Sequence, residues 1–422
     1  MTTRDFIKTS AFGLSGAVLF PDTNYDSFSF SDHINKLNDC SDNQFWKMIR
    51  DDYELPKKWI NLENGYYCIQ PKPILQSYIN HVKYVNQLGA FYMRNEQFKN
   101  KSQIASQLAE TAGCNAEELI ITRNTTESLD LIISGYPWQF GDEAIVAEQD
   151  YGAMLDMFQQ MVKRYGIVVK TIQLPKYPQS DSDIIDIYKS AISSKTKLIM
   201  ACHIINITGQ IIPIRKLCDM AHTYGVEVMV DGAHSLAHLD FKIMDLNCDY
   251  FGCSLHKWLS NPLGAGLLYV NKQHISKLWP LFAEAPLPDW QIARLNHTGT
   301  IPVHVDLTLP DALLYYKTIG AQRKQNRLRE LQRYWTDQIR GKSRIILQTP
   351  EAAERSCAIA NVGIEGMRPS ELAEKLFKTH SIYTVAIEGK GVQGCRITPN
   401  VYTSFEELDV LIKALLKIAS ET

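Results

Sequence analysis

The sequence predicts an α/β fold: a mostly parallel central sheet with helices on both faces, joined to a smaller α+β C-terminal domain. Three observations carry this. Between Leu119 and Val270, short apolar runs alternate with stretches of helical length, the pattern of strands buried on both faces. Polar residues follow those runs, at the carboxyl ends of strands where such sheets bind ligands. A long helical stretch from Ile301 to Lys342 then leads into residues 343–422, where strands and helices mix.

In chain order, residues 1–22 form a signal-like segment and 23–44 a linker rich in Ser, Asp, Asn and Phe. Residues 45–75 form an N-terminal segment that packs with the small domain, 76–304 a large domain and 305–422 the small one. The head Thr2-Thr3-Arg4-Asp5-Phe6 and the weakly apolar run after it resemble a twin-arginine export signal, with Thr3 where the first arginine belongs. Helical patterning begins near Phe45. Trp59 to Tyr67 reads as a short strand breaking into a turn, and 73–112 as helices. The expected strands are Leu119–Thr122, Glu143–Ala147, Gly166–Lys170, Lys197–Ala201 and Val226–Val230, with Gly264–Val270 as the antiparallel member. Ser404 followed by Glu407 caps a final helix.

The 422 residues are 45% hydrophobic and 21% charged with a net charge of −2. That is an ordinary globular composition with no basic stripe for nucleic acid and no apolar segment long enough to span a membrane. Nine cysteines stand singly, without a CxxC pair, which disfavours zinc ribbons and thioredoxin-type redox sites. Scattered thiols point to the cytoplasm, and to the periplasm if the N-terminal segment works as a signal.

The strand 226–230 delivers Asp231, and Lys257 follows within Cys253-Ser254-Leu255-His256-Lys257-Trp258, beyond a second short apolar stretch. A lysine and a buried acid are what pyridoxal phosphate requires: the lysine forms the Schiff base and the acid keeps the ring nitrogen protonated. The pair alone equally fits a surface lysine and a helix-capping aspartate. Arg123-Asn124-Thr125-Thr126 opens a helix whose N-terminus suits a phosphate, or the hydroxyls merely cap it. Tyr151 could stack on a flat ring or belong to the core. Asn206 could bond a ring hydroxyl or hold a turn. His234 and His238, four apart, could bind a metal.

Taken together, RNTTESLDLIISGYPWQFGDE, QDYGAM, CHIINITGQIIPI, VMVDGAHSLAH, CSLHKWLSNPLGAGLLYV, NHTGT and CRITPNVYTSFEELDVL resemble the class V aminotransferase family of fold-type I pyridoxal-phosphate enzymes, in its isopenicillin N epimerase-like branch. The resemblance runs from about Asn61 to the last helix. It implies that Lys257 holds the cofactor and carries the proton, that Asp231 pairs with the ring nitrogen, and that Tyr151 stacks on the ring. It puts Asn206 and His234 near the ring hydroxyl, and Thr125, Thr126, Ser254 and His256 on the phosphate. Thr300 would reach the phosphate of a partner subunit, which implies a homodimer with shared active sites. Arg396 would clamp the substrate carboxylate, a task suited to its planar fork, although alone it fits a surface ion pair. Asn64 and Tyr66 would line the substrate side.

The expected function is therefore pyridoxal-phosphate chemistry at the α-carbon of an amino acid or similar small substrate: epimerase, lyase or transaminase. A cysteine desulfurase is disfavoured. Its nucleophilic cysteine would lie about fifteen residues before Arg396, where Ser381 stands. A metal-dependent hydrolase using His234 and His238, and a non-catalytic binding protein of the same fold, are the other readings. Intact Lys257 and Asp231 argue against the last.

Overall fold

In the computed structural model, which describes residues 41–422, helix α1 (Asp42–Asp51) starts inside the stretch read as linker. The signal-like segment and residues 23–40 lie outside the described residues. Gln44 reaches back to the Ser41 amide at 3.3 Å, a cap that lets the helix begin before its first apolar residue. Phe45, Trp46 and Ile49 then share its buried face. A short strand β1 (Ile60–Asn61) precedes helices α2 (Lys72–Leu88), α3 (Ala90–Asn95) and α4 (Gln97–Ala112).

The large sheet comes next. Its strands are β2 (Leu119–Thr122), β3 (Glu143–Ala147), β4 (Val168–Ile172), β5 (Thr196–Cys202), β6 (Glu227–Asp231), β7 (Tyr250–Ser254) and β8 (Gly266–Val270). They lie in the order β2-β8-β7-β6-β5-β3-β4. All neighbours are parallel except β8, which runs antiparallel to both β2 and β7. The connecting helices are α5 (Thr125–Gly135), α6 (Gly152–Tyr165), α7 (Ser182–Ala191), α8 (Ile214–His222) and α9 (Ile243–Leu246). Two expectations need correction. The fourth strand begins at Val168, because Gly166 is spent as the C-cap of α6. The short apolar stretch before Lys257 is a full central strand, β7. Its Gly252, Cys253 and Ser254 hid it, since only the first half carries the large side chains that mark strands.

The long helical stretch is two helices, α10 (Val303–Ile319) and α11 (Ala321–Ile339). Gly320 separates them at φ +85°, as Gly89 separates α2 from α3 at φ +53°; a backbone in that region ends a right-handed helix and favours glycine. Helix α10 packs on α2 and α4, whereas α11 packs on the last helix, α13. The remaining elements are β9 (Ile345–Leu347), β10 (Ala360–Ile364), α12 (Pro369–His380), β11 (Ile382–Tyr383), β12 (Val385–Gly389), β13 (Val392–Ile397) and α13 (Phe405–Glu421). Strands β12-β13-β10-β9 form an antiparallel sheet, and β1 pairs in parallel with β11. The Ser404 cap is present: its Oγ accepts the Glu407 amide at 3.2 Å, and Glu407 accepts the Ser404 amide at 2.8 Å.

Two apolar cores hold these parts. One, under the large sheet, includes Leu129, Trp138, Phe158, Met229 and Tyr250. The other joins α11, α12 and α13 to the small sheet through Leu331, Trp335, Leu376, Cys395 and Leu411. Truncating a wholly buried tryptophan such as Trp335 costs about 3–5 kcal/mol. Among the described residues no helix is long and apolar enough to cross a membrane.

Candidate active site

A cavity of about 490 Å³ opens at the carboxyl ends of the central strands, where parallel sheets place their ligands. At its floor Asp231 ends β6, in register with Cys202 on β5 and Gly252 on β7. Asp231 is buried, and its Oδ1 accepts the Ala233 amide at 2.9 Å. Cys202 Sγ lies 3.9 Å from Oδ2. Burial pushes the Asp231 carboxyl above the usual carboxylate range, against the Ala233 bond and the nearby Lys257 charge. Such a carboxylate gains most from a cationic N–H placed before it.

Lys257 stands on the same cavity wall, just beyond β7. Its Nζ is 3.1 Å from Nε2 of His234. On the other side of that ring, Trp258 Nε1 donates to Nδ1 at 3.3 Å. An indole N–H only donates, so Nδ1 is the acceptor. Burial holds the His234 pKa well below its usual value, so the ring is neutral and its proton sits on Nε2. In that tautomer Nε2–H faces Lys257 Nζ, an arrangement that favours the neutral amine, whose lone pair can accept, over the ammonium. Burial pulls Lys257 down to about 8, with Asp231 opposing. Geometry and desolvation thus agree on an amine that gives up its proton easily.

The opposite end suits an anion. Helix α5 begins directly after β2, and its N-cap is Asn124, whose Oδ1 accepts the Glu127 amide at 2.9 Å. Thr125 and Thr126 are therefore not the cap; both lie in the first turn and line the cavity. The Thr125 amide donates to Ser254 Oγ at 2.9 Å, and the two hydroxyls lie 2.7 Å apart. His256 lines the same region; burial lowers its pKa to about 4, and its Nδ1 is buried without a protein partner. A Cβ on Gly266 would come within 2.7 Å of Asn124 backbone atoms, so glycine lets β8 pass beneath the helix start.

Tyr151, 45% exposed, forms one side of the cavity. Asn206, Tyr66 and Arg396 line the mouth. Arg396 does not stand free. Its Nη2 and Nε meet Glu63 at 2.6 and 3.4 Å, and its Nη1 meets the Asn206 carbonyl at 3.3 Å. Cys395 points the other way, into the second core.

Eleven of the expected site residues thus share one cavity: Tyr66, Thr125, Thr126, Tyr151, Asn206, Asp231, His234, Ser254, His256, Lys257 and Arg396. Two do not reach it. Asn64 is fully buried, bonded through its amide group to the Thr398 carbonyl at 2.7 Å and to Tyr402. Thr300, expected at a partner subunit's phosphate rather than at this one, is exposed and not among the residues lining this cavity. The His234–His238 metal pair also fails on geometry. His238 Nδ1 bonds the His234 carbonyl at 2.8 Å, and its Nε2 accepts the Ala358 amide at 2.9 Å. Its ring stacks on Trp258 at 3.8 Å. Among the described residues no group of three His, Cys, Asp or Glu is placed to hold a metal. Sequence reasoning passed over Arg123, which lines the cavity and pairs with Glu127 at 3.0 Å. Its position immediately before the start of helix α5, which lines the cavity, was the available signal.

Comparisons with known proteins identify the family. The sequence model described as aminotransferase class-V matches residues 70–411. An isopenicillin N epimerase from Streptomyces clavuligerus is 26% identical over 337 residues, 76% of this chain and 84% of that protein. A probable cysteine desulfurase from Halalkalibacterium halodurans is 27% identical over 275 residues, 62% of this chain and 66% of that protein. The apo structure of a cysteine desulfurase from Thermococcus onnurineus superposes with a TM-score of 0.79 at 20% identity, covering 89% of this chain and 98% of that one. The chain belongs to the aminotransferase class-V family.

Proposed function

We propose that this chain is a pyridoxal-phosphate enzyme that removes the α-proton of an amino-acid-like substrate, the step with which epimerisation, β-elimination and transamination all begin. The donor set fits the cofactor: a buried acid for a ring nitrogen, an amine of lowered pKa, an aromatic side wall, and a helix start with two hydroxyls and an unpartnered imidazole nitrogen for a phosphate. When bound, pyridoxal phosphate supplies an aldehyde for the substrate amine and a ring that accepts the electron pair left at the α-carbon. Asp231 holds the ring nitrogen and favours its protonated form. Lys257 holds the cofactor and then moves the proton, with His234 fixing the direction of its lone pair. Tyr151 restrains the ring plane. Thr125, Thr126, Ser254 and His256 hold the phosphate. Arg396 orients the substrate carboxylate.

The observation that favours proton chemistry over sulfur transfer is the state of the thiols. Seven of the eight described cysteines are buried, and Cys114 is half-buried with a pKa raised to about 12. Cys202, on the cavity floor beside Asp231, is pushed well above the usual thiol range by burial and by Asp150 and Asp231. None of these offers a thiolate to a substrate sulfur. The Ser381 position is the C-cap of α12, leading into the β11 pairing, and carries a hydroxyl instead.

The test incubates the holoenzyme with a panel of amino acids in D2O. Loss of an α-proton signal, with chiral analysis and keto-acid assay to name the outcome, is the expected result. Borohydride reduction followed by peptide mapping should put the pyridoxyl label on Lys257. Formation of a protein-bound persulfide from L-cysteine would overturn the reading.

A further inference from the structure

The residue that meets the substrate arginine in this structure is the chain's own Glu63. Arg396 and Glu63 are both nearly excluded from water, with 8% and 7% of their side chains exposed. Glu63 takes the Nε–Nη2 edge of the guanidinium, and the Asn206 carbonyl takes Nη1. Gly65 lies flat on the same group: a Cβ there would sit 2.7 Å from Cζ and Nη2. The strap Leu62–Tyr66 thus covers one face and one edge of Arg396. Its backbone is pinned, by Leu62 to the Tyr383 carbonyl at 3.0 Å and by Asn64 to Thr398 Oγ1 at 2.6 Å. Among the described residues the Glu63 side chain is held only by Arg396 and by the Tyr66 amide, which donates to Oε1 at 2.9 Å.

We propose that Glu63 is a specificity-determining residue that occupies the carboxylate seat on Arg396, so that a substrate's acid group binds only by displacing it. This rests on the reading of Arg396 as the substrate arginine. The physical reason is charge. One guanidinium neutralises one carboxylate; a second, on the same buried group, would leave a net negative charge out of water, which is strongly unfavourable. The two acids therefore compete. Glu63 lowers affinity for simple carboxylates and selects substrates whose remaining contacts offset its displacement. Rotation of its side chain releases the Tyr66 amide while Leu62 and Asn64 stay bonded.

The test uses the holoenzyme with propionate and propionamide as probes, titrated calorimetrically. Glu63→Gln should tighten propionate about tenfold, equivalent to about 1.4 kcal/mol, and leave propionamide unchanged. Because Glu63→Gln leaves a buried arginine without its anion and could unfold, hydrogen exchange on the unmodified protein provides a second reading. Saturating propionate should speed exchange of the Tyr66 amide, and propionamide should not. Unchanged or weaker propionate binding in a folded Glu63→Gln, or a Tyr66 amide indifferent to propionate, overturns displacement. Arg396→Gln separates the two levels. If it abolishes propionate binding while Glu63→Gln has no effect, only the role of Glu63 falls. If it leaves propionate binding intact, the substrate role of Arg396 falls with it.

Discussion

The chain of donors Trp258–His234–Lys257 makes a quantitative prediction about the apoenzyme. With a pKa of about 8, Lys257 should be about one-quarter neutral at pH 7.5, against about 0.1% for an ordinary lysine, a difference of roughly 200-fold. The sign follows from the titrating form: the neutral amine is the nucleophile, so reactivity rises with pH and levels off above 8. Stability runs the same way. The unfolded chain keeps this proton up to the ordinary value of 10.5, so it binds more protons than the folded state between 8 and 10.5, and folding gains stability as pH rises across that window. The assay is competitive reductive methylation across a pH series, read by mass spectrometry on the peptide carrying Lys257 and on one carrying the exposed Lys99. Restricted access of the reagent to Lys257 scales its absolute rate, whereas the midpoint of the pH series follows its pKa. Trp258→Phe removes the donor that fixes the His234 tautomer, freeing Nε2 to accept from an ammonium, and should move the midpoint upward. A wild-type midpoint near that of Lys99 would refute both the desolvation argument and the tautomer argument.

Two other perturbations follow from the site. Asp231→Asn should reduce turnover at least about a hundredfold, the scale of losing one preorganised charge, yet raise the melting temperature of the apoenzyme at neutral pH. It keeps the Ala233 acceptor while removing a buried charge whose pKa is already raised. A fall in both activity and stability would make Asp231 structural. Gly266→Ala should cost about 1–3 kcal/mol, because its Cβ meets backbone atoms of Asn124 at the helix start. That shift should weaken pyridoxal phosphate more than pyridoxal. Equal loss of affinity for both would detach the helix start from the phosphate.

The fold and most of the cavity were legible because they depend on local pattern. Apolar runs of strand length mark β2, β3, β5 and β6, and the residues that end them come together whenever such a sheet is parallel. Asp231, Asn206 and Tyr151 needed nothing more. The errors were local too. Gly166 reads as part of a strand until α6 claims it as a cap, and β7 is masked by its own small residues. Asn64 was placed on the substrate side by the motif around it. Its burial against Thr398 and Tyr402 depends on β13 and the loop after it, more than 330 positions away.

That distance also explains what could not be read. Arg396 and Glu63 are separated by 333 positions, and neither has a local signal that names the other. The family resemblance gave Arg396 the substrate as its partner, and Arg396 considered alone fitted a surface ion pair with no acid named. The structure shows a second acid within its reach. A buried guanidinium with one carboxylate already on it differs from a free one: affinity for any further acid becomes a difference between two ion pairs rather than the strength of one. Substrate preference in this pocket thus depends on how well Glu63 is held as well as on how well the ligand fits. The backbone of Leu62 and Asn64 is pinned while the Glu63 side chain is held by Arg396 and the Tyr66 amide, which puts that balance on the Glu63 side chain.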